Sequence, residues 1–558
     1  MTSQEFDYIV IGAGSAGCVL AARLSEDPTT RVLLLEAGPP DRSLWIHLPI
    51  GYGKTMWSKT YNWCFHTDPD PNMNGRRIYW PRGKTLGGSS AINGLIYIRG
   101  QREDYDAWAA LGNAGWRYTD VLPYFIKSEG NRRAALSTGG LHGAAGPLAV
   151  SDIAAKHELI EAFIEGAQQI GASSVSRTDD FNGANQEGAG YFQLNTADGW
   201  RVSTATAYLK PARHRPNLRV ETEAHASALL MDGRRAVGVS YRQGGALKTV
   251  RCTAEVLLAA GAIQSPQLLQ LSGIGPPALL SRHGIAVVAG LPGVGENLQD
   301  HLQIRLGFEC TKPITTNDQL NSWTGKLAIG MQWLMSRSGP LAVGINQGGC
   351  FMRALCDAAG QPVAATPDIQ FHVATLSADM AGGKVHPYSG FTMSVCQLRP
   401  ESRGHIRIRS TDPFEPPEMQ PNYLASDLDR RTAVAAIKAA RAIAGAPAMR
   451  DLVKREVKPG PEANDDQALL EFCRNHGVTI FHPSGTCKMG NDALAVLDER
   501  LRVRTVANLR VVDASVMPTL VSGNTNAAVV MLAERAADMI RQDARRRLSG
   551  IEKPQNPS

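Results

Sequence analysis

The 558 residues contain no C-x-x-C pair. The nine cysteines (Cys18, Cys64, Cys252, Cys310, Cys350, Cys356, Cys396, Cys473 and Cys487) are odd in number and scattered. That argues against a disulfide framework and fits a reducing compartment; no metal site is expected either. No run of about 18 apolar residues occurs, so no membrane-spanning helix is expected, though contact with a membrane surface stays open. The start, MTSQEFDYIV, has no basic stretch followed by a long apolar one, so no secretory leader is expected. The expected location is cytoplasmic, or peripheral at the inner membrane. No dense Lys/Arg stripe with interleaved aromatics is present, and a net charge of +6 is modest for this length, which excludes nucleic acid as the expected partner. The late basic residues, Arg541 to Arg547, read as the end of a surface helix. With 43% hydrophobic and 20% charged residues the composition is that of a soluble globular protein, long enough for two or more domains.

What is present begins at Asp7. Tyr8 to Ile11 is a short apolar run suited to a buried strand, Gly12, Gly14 and Gly17 form G-x-G-x-x-G, and Ser15 to Ser25 has helical spacing. Arg31 to Leu35 is a second buried strand closing on Glu36. A strand, glycine turn, helix, strand and acid in this order is the context a dinucleotide fingerprint needs. Gly12 permits a tight turn, Gly14 lets the backbone approach a pyrophosphate, and Gly17 lets helix and strand pack closely. The helix start, with Ser15 and Ala16, offers free N–H groups to phosphate. Glu36 can accept both hydroxyls of an adenosine ribose and would repel a 2′-phosphate, which disfavours NADP. The stretch alone does not separate NAD from FAD.

Residues 40–80 are rich in Gly, Pro and aromatics and read as irregular chain covering a ligand, with most of the aromatics expected in the core. Gly83 to Gly94 (GKTLGGSSAING) is a second glycine loop, whose backbone amides could line a ligand. Residues 101–130 look helical, with Trp108, Leu111, Val121, Leu122 and Phe125 as expected core. Leu218–Val220, Ala226–Leu230, Ala236–Tyr241 and Lys248–Val250 alternate like antiparallel strands. Glu255 to Ala262 is a buried strand ending in a small-residue turn, and Ile263 to Ser272 a helix. His301 is expected to be a structural hydrogen-bonder. Residues 305–475 mix strands and helices without a nucleotide loop. Near the end come FHPSGTCKMG (481–490), a strand delivering Asp513 and Ala514, and SGNTNAA (522–528) opening a long helix to about Arg546.

Together these segments resemble the glucose–methanol–choline (GMC) flavoprotein oxidoreductases. The resemblance covers nearly the whole chain. One family signature matches Gly83 to Asn93 with Tyr97, Gly100 and Asp106; a second matches Gly261 to Gly275; His482-Pro483-x-Gly485-Thr486-Cys487 and Gly523-Asn524-Thr525-Asn526 match the terminal pair. The nearest type is a choline-dehydrogenase-like alcohol dehydrogenase. The resemblance implies an α/β (α+β overall) fold: a Rossmann-type FAD-binding domain from residues 1–150, 200–305 and 475–546, an antiparallel-sheet substrate domain from 151–199 and 306–474, and a flexible tail, 547–558. It implies FAD, with Gly12, Gly14, Ser15, Ala16, Gly17, Glu36, Ala37, Ala226, Asp513 and Ala514 on its adenine, ribose, pyrophosphate and ribityl parts. Leu86, Gly88, Ser89, Asn93, Gly94, Leu95 and Ile96 fall near the isoalloxazine, and Thr525 and Asn526 over its pyrimidine edge. Some members attach FAD through a His in the first glycine loop. This loop has none at Ser90 or beside it, so non-covalent FAD is expected.

Oxidising an alcohol removes a hydroxyl proton and a carbon-bound hydride; flavin N5 accepts the hydride and a histidine suits the proton. The family positions for base and partner fall on His482 and Asn524, whose amide can steady a developing alkoxide. Phe481 is expected in the pocket wall, which fits an uncharged or aromatic primary alcohol better than a sugar. A choline site needs an aromatic cage and a carboxylate, and no carboxylate can be placed. Cys487 and Met489 read as structural. Four outcomes are weighed: a dehydrogenase passing electrons to a quinone or similar acceptor, an oxidase using O2 and making H2O2 (with Ile480 as a candidate neighbour of the flavin), a hydroxynitrile-lyase-like enzyme with redox-silent FAD, and a non-enzymatic flavin-binding protein, against which the His482/Asn524 pair argues.

Overall fold

The computed structural model describes residues 5–153, 155–171, 174–380 and 382–549. The elements that carry the fold begin with β1 (Phe6–Ile11), α1 (Ser15–Leu24) and β2 (Val32–Leu35). After an irregular cover come α2 (Arg102–Ala110), α3 (Tyr118–Ser128), α4 (Glu158–Gln168) and β3 (Gly188–Tyr191). Then follow β4 (Leu218–Glu221), β5 (His225–Asp232), β6 (Arg235–Gln243), β7 (Ala246–Leu258) and α5 (Gly261–Leu271). The next group is β8 (Leu302–Cys310), α6 (Trp323–Ser336), β9 (Asn346–Met352), β10 (Ile369–Ala374) and β11 (Gly390–Gln397). The chain closes with α7 (Asp427–Ala444), β12 (Val453–Lys458), β13 (Val478–Thr479), β14 (Leu509–Val511) and α8 (Asn526–Leu548).

Two seven-stranded sheets organise these elements. The first runs β4-β2-β1-β7-β6-β5, with β14 also beside β7. Its centre is parallel and covered on both faces, so β2 (VLLL) is buried at all four positions. β7 serves two roles: residues up to Arg251 pair antiparallel with β6, and Cys252 to Leu258 pair parallel with β1. Leu218 to Val220, expected in an antiparallel set, is instead a parallel edge strand on β2. The second sheet, β12-β8-β11-β10-β9-β3, is antiparallel throughout, with β13 added beside β8.

Gly12 (φ +97°) turns the chain from β1 into α1, and a Cβ there would meet the Ala259 carbonyl oxygen at 2.6 Å. A Cβ on Gly17 would stand 1.8 Å from the Gly12 carbonyl oxygen, so α1 packs on the turn only because that atom is missing.

Four further expectations are corrected. Residues 101–130 are helical as expected, in two helices, but Leu111, expected in the core, ends the first at 51% exposure. Of the aromatics in the cover, Trp80 is buried, but Trp45 and Trp57 are each 40% exposed along the rim of a cavity. The boundary placed at 305/306 falls inside β8, and β13, assigned to the cofactor half, pairs with β8. Of the tail, 547 and 548 belong to α8, and 550–558 lie outside the described residues. No helix among the described residues is long and apolar enough to cross a membrane.

Candidate active site

One cavity of about 990 Å³ runs between the two sheets. It runs from the β1–α1 turn past the second glycine loop to His482 and Asn524, and α6 borders it. Of the residues expected at the site, Gly12, Gly14, Ser15, Ala16, Glu36, Ala37, Gly88, Ser89, Asn93, Gly94, Leu95, Ile96, Ala226, Phe481, His482, Asp513, Ala514, Asn524, Thr525 and Asn526 all line it. Gly17 and Leu86 do not; Gly17 is spent on helix packing, and Leu86 is buried in the core behind the wall.

The end nearest β1 has the shape of a dinucleotide cradle. The Ser15 hydroxyl donates to Asn526 Oδ1 (2.8 Å), which brings the starts of α1 and α8 together and aims two sets of free N–H groups at one place. Gly88 (φ +50°) lies so close that a Cβ would stand 2.6 Å from Gly14 Cα. Glu36 ends β2 and accepts from the Ala13 and Gly38 amides at 2.9 and 2.8 Å. Burial nevertheless pushes its carboxyl up to about 7. Asp513 accepts from the Gly261 amide and the Ser265 hydroxyl, anchoring the start of α5, and from the Ser515 amide. These closed glycine contacts, helix starts and the buried acid fit an adenine dinucleotide.

Asn93 and Leu95 form the next wall. Asn93 Oδ1 accepts from the Leu95 amide and from Arg201 Nη1 (2.7 Å), holding Leu95 at φ +72°. Phe481 also sits at φ +72°, fixed by the Thr479 hydroxyl on its amide and by Arg82 Nη2 on its carbonyl. Two bulky residues in the left-handed region at one cavity mark backbone held against its preference.

At the far end a hydrogen-bond chain assigns the protons. His301 Nε2 lies 2.9 Å from the Leu398 carbonyl oxygen, which only accepts, so Nε2 carries the hydrogen. Burial holds the His301 imidazole down to about 4, so it is neutral and its Nδ1 is an acceptor. His482 Nδ1, 3.0 Å away, must then donate to it. That leaves His482 Nε2 with an open lone pair facing the Asn524 amide nitrogen at 3.5 Å. Gln370 Nε2 donates to Asn524 Oδ1 (3.2 Å), fixing the amide so that its N–H₂ faces His482. The Asp300 carboxylate takes the His482 amide at 2.8 Å and the Thr479 hydroxyl at 2.5 Å, setting the turn that presents the ring. Burial, then His301, His372 and Arg82, hold His482 well below its ordinary value.

Sequence reasoning missed Gln370 and His372 on β10, and it assigned His301 a structural place without its contact to His482. β10 reads IQFHVA and is buried at every position. A histidine in such a strand was the available signal. Burial drives His372 down to about 3, and neither of its ring nitrogens makes a hydrogen bond, although the nearby Asn524 amide favours its protonated form. Among the described residues no group of three or more His, Cys, Asp or Glu side chains could hold a metal.

Comparisons with known proteins agree with this architecture. The GMC oxidoreductase family models match residues 6–303 and 400–533. The chain is 44% identical to an alcohol dehydrogenase (acceptor) from Pseudomonas putida, covering 96% of this chain and 95% of that one. It is 45% identical to an oxygen-dependent choline dehydrogenase from Serratia proteamaculans, over 97% and 96%. Among solved structures it superposes on pyridoxine 4-oxidase from Mesorbium loti with a TM-score of 0.86 at 31% identity, covering 96% of this chain and 99% of that one. The sheets, the dinucleotide cradle and these matches together place the chain in the GMC oxidoreductase family, as an enzyme.

Proposed function

We propose that the protein oxidises a primary alcohol to an aldehyde, with His482 as base and Asn524 as its partner. The cofactor is FAD; the cavity residues from Glu36 to Asn524 would hold it, and when bound it would supply the hydride acceptor, flavin N5. The observation that carries the reading is the unprotonated Nε2 of His482 beside the fixed amide of Asn524. A hydroxyl placed between them gives its proton to Nε2 and keeps a hydrogen bond from the Asn524 amide on its oxygen. His301 holds the tautomer and Gln370 holds the amide. Ser90, inside the glycine loop, is buried with its hydroxyl on the Gly87 carbonyl and Thr204, and no histidine stands beside it, which favours non-covalent FAD. The cofactor half comprises 1–150, 200–301 and 480–546. The substrate half comprises 151–199 and 302–474 with β13, so that β8 is kept whole.

His482→Ala tests the base. The variant should retain FAD and lose about 10²- to 10⁴-fold in the rate of flavin bleaching by alcohol under anaerobic conditions. A variant that is FAD-replete and still fast sinks the assignment, and a wild-type flavin that no alcohol bleaches favours the lyase reading.

For the acceptor, we favour a membrane quinone over O2. α6 exposes Trp323 (76%), Leu327 (57%), Leu334 (61%) and Met335 (80%), at spacings that repeat on one helix face. The same helix contributes Lys326, Ile329 and Gly330 to the cavity wall, so the apolar face belongs to a helix that borders the cavity. Leu44 and Trp45 are also exposed, and Lys54 sits over the Trp45 ring at 4.1 Å. Apolar side chains with cations beside them suit the surface of an anionic bilayer. The holoenzyme should co-sediment with vesicles containing anionic lipid, and Trp323→Ser with Met335→Ser should release it while leaving bleaching by a short alcohol intact. Equal sedimentation of both proteins would refute the contact.

A further inference from the structure

We propose that the alcohol substrate is anionic, carrying a carboxylate-like group that Arg305 binds; this rests on the alcohol-oxidising reading above. Among the described residues four arginines stand on the cavity wall. Arg76 donates to the carbonyls of Arg474 and Gly477, Arg77 to that of Thr67, and Arg82 to those of Pro81 and Phe481. Arg305 makes no hydrogen bond or ion pair with any described residue. Its charge is felt by Tyr52, and Asp379 lies in range, but the Asp379 carboxylate is held by Lys458 (2.6 Å) and His386 (3.4 Å). The half-buried guanidinium faces the cavity with no acceptor from a described residue, so its N–H groups are available to the oxygens of a ligand.

The sheet register locates it. Arg305 on β8 pairs with Ser394 on β11, which pairs with His372 on β10, and all three line the cavity. Directly paired residues point to the same face, and strands lie about 4.8 Å apart, so Arg305 stands roughly 10 Å along the row from His372. His372 in turn lies against Asn524 and His482. The dinucleotide cradle is on the other sheet, so its phosphates do not account for Arg305. A substrate with its hydroxyl at His482 would carry its anion several bonds away, past the Phe481 wall. The acidic residues on the wall are Glu36, Asp513 and Asp379. Among the described residues the first two are bonded in the cradle and the third is paired with Lys458 and His386, which disfavours choline.

The test is a series of ω-hydroxyalkanoates of increasing chain length against their methyl esters, with kcat/KM measured on the holoenzyme. The acids should exceed the esters by about tenfold or more at an optimal length. Arg305→Met should bring that ratio near one, and Arg305→Lys should keep part of it. Calorimetric titration with the matching alkanoate, which has no hydroxyl, should show binding to the wild type and its loss in Arg305→Met. Esters equal to acids at every length, or a ratio unmoved in Arg305→Met, overturns the proposal. If neither acids nor esters bleach the flavin, the oxidation reading fails instead, while alkanoate binding still reports on Arg305.

Discussion

Glu36 stands where backbone amides and, in the holoenzyme, ribose hydroxyls compete for one carboxylate. Its carboxyl is pushed up to about 7 by burial, against an ordinary value of 4.5. A carboxyl raised on folding stabilises the fold fully below 4.5 and withdraws that contribution as pH rises through 7. For a fully buried group the swing is on the order of 3 kcal/mol. Hydroxyls donating to the ionised form offset the loss. The apoprotein should therefore lose stability at this site between pH 4.5 and 7, and the stabilisation given by FAD should grow over the same window. Melting of apo and FAD-loaded wild type and Glu36→Gln at pH 5.5 and 8 measures both as the difference between the two proteins, because the pH dependence of the histidines is common to them. In Glu36→Gln the site contributes no pH dependence and FAD binds more weakly at pH 8; an FAD-induced shift that is the same at both pH values would contradict the argument.

At the scale of elements, the last strand and last helix are tied to the first sheet by charge. Arg510 on β14 is buried, with Nε on Glu255 of β7 at 2.6 Å and Nη2 on Asp543 of α8 at 2.6 Å. Arg547 and Arg500 hold the remaining oxygens from the rim. Asp513, at the end of β14, and Asn526, at the start of α8, both line the cavity, so this network bears on the cofactor cradle at a distance. Arg510→Met leaves two buried carboxylates short of a partner and should cost roughly 3 kcal/mol, the lower end for a broken buried pair because Arg500 and Arg547 remain. Urea unfolding reads the loss, and adding Glu255→Gln should restore part of it. A double variant no more stable than Arg510→Met would mean that the cost lies in packing rather than charge.

Over the whole molecule, what could be read in advance was whatever depends on local pattern. The fingerprint from Tyr8 to Glu36 announces itself because glycine spacing, strand period and the closing acid are all short-range. Phe481, His482 and Asn524 were legible through motif resemblance. Gln370, His372 and Arg305 were not, because each acts only through strand register: a residue in an apolar strand gains meaning when β8, β11 and β10 lie side by side. The packing of both sheets around one cavity also gathers histidines there and gives the molecule an acid response. His225, His372 and His482 line the cavity and His301 backs it. Burial holds His225 and His301 down to about 4, His372 to about 3, and His482 well below its ordinary value. A histidine whose value falls on folding contributes stability above 6.5 that is lost as pH drops toward its folded value, since only the unfolded chain takes the proton. Near pH 5 the four histidines favour uptake of about four protons on unfolding, and Glu36, already protonated in the fold, opposes with about one. The apoprotein should lose stability steeply from pH 6.5 to 5, by up to about 4 kcal/mol per pH unit from these groups. His372→Leu should reduce the slope by about one proton, roughly 1.4 kcal/mol per pH unit, read from the urea midpoint at several pH values. A slope that His372→Leu leaves unchanged would show that this ring is not kept neutral by the fold.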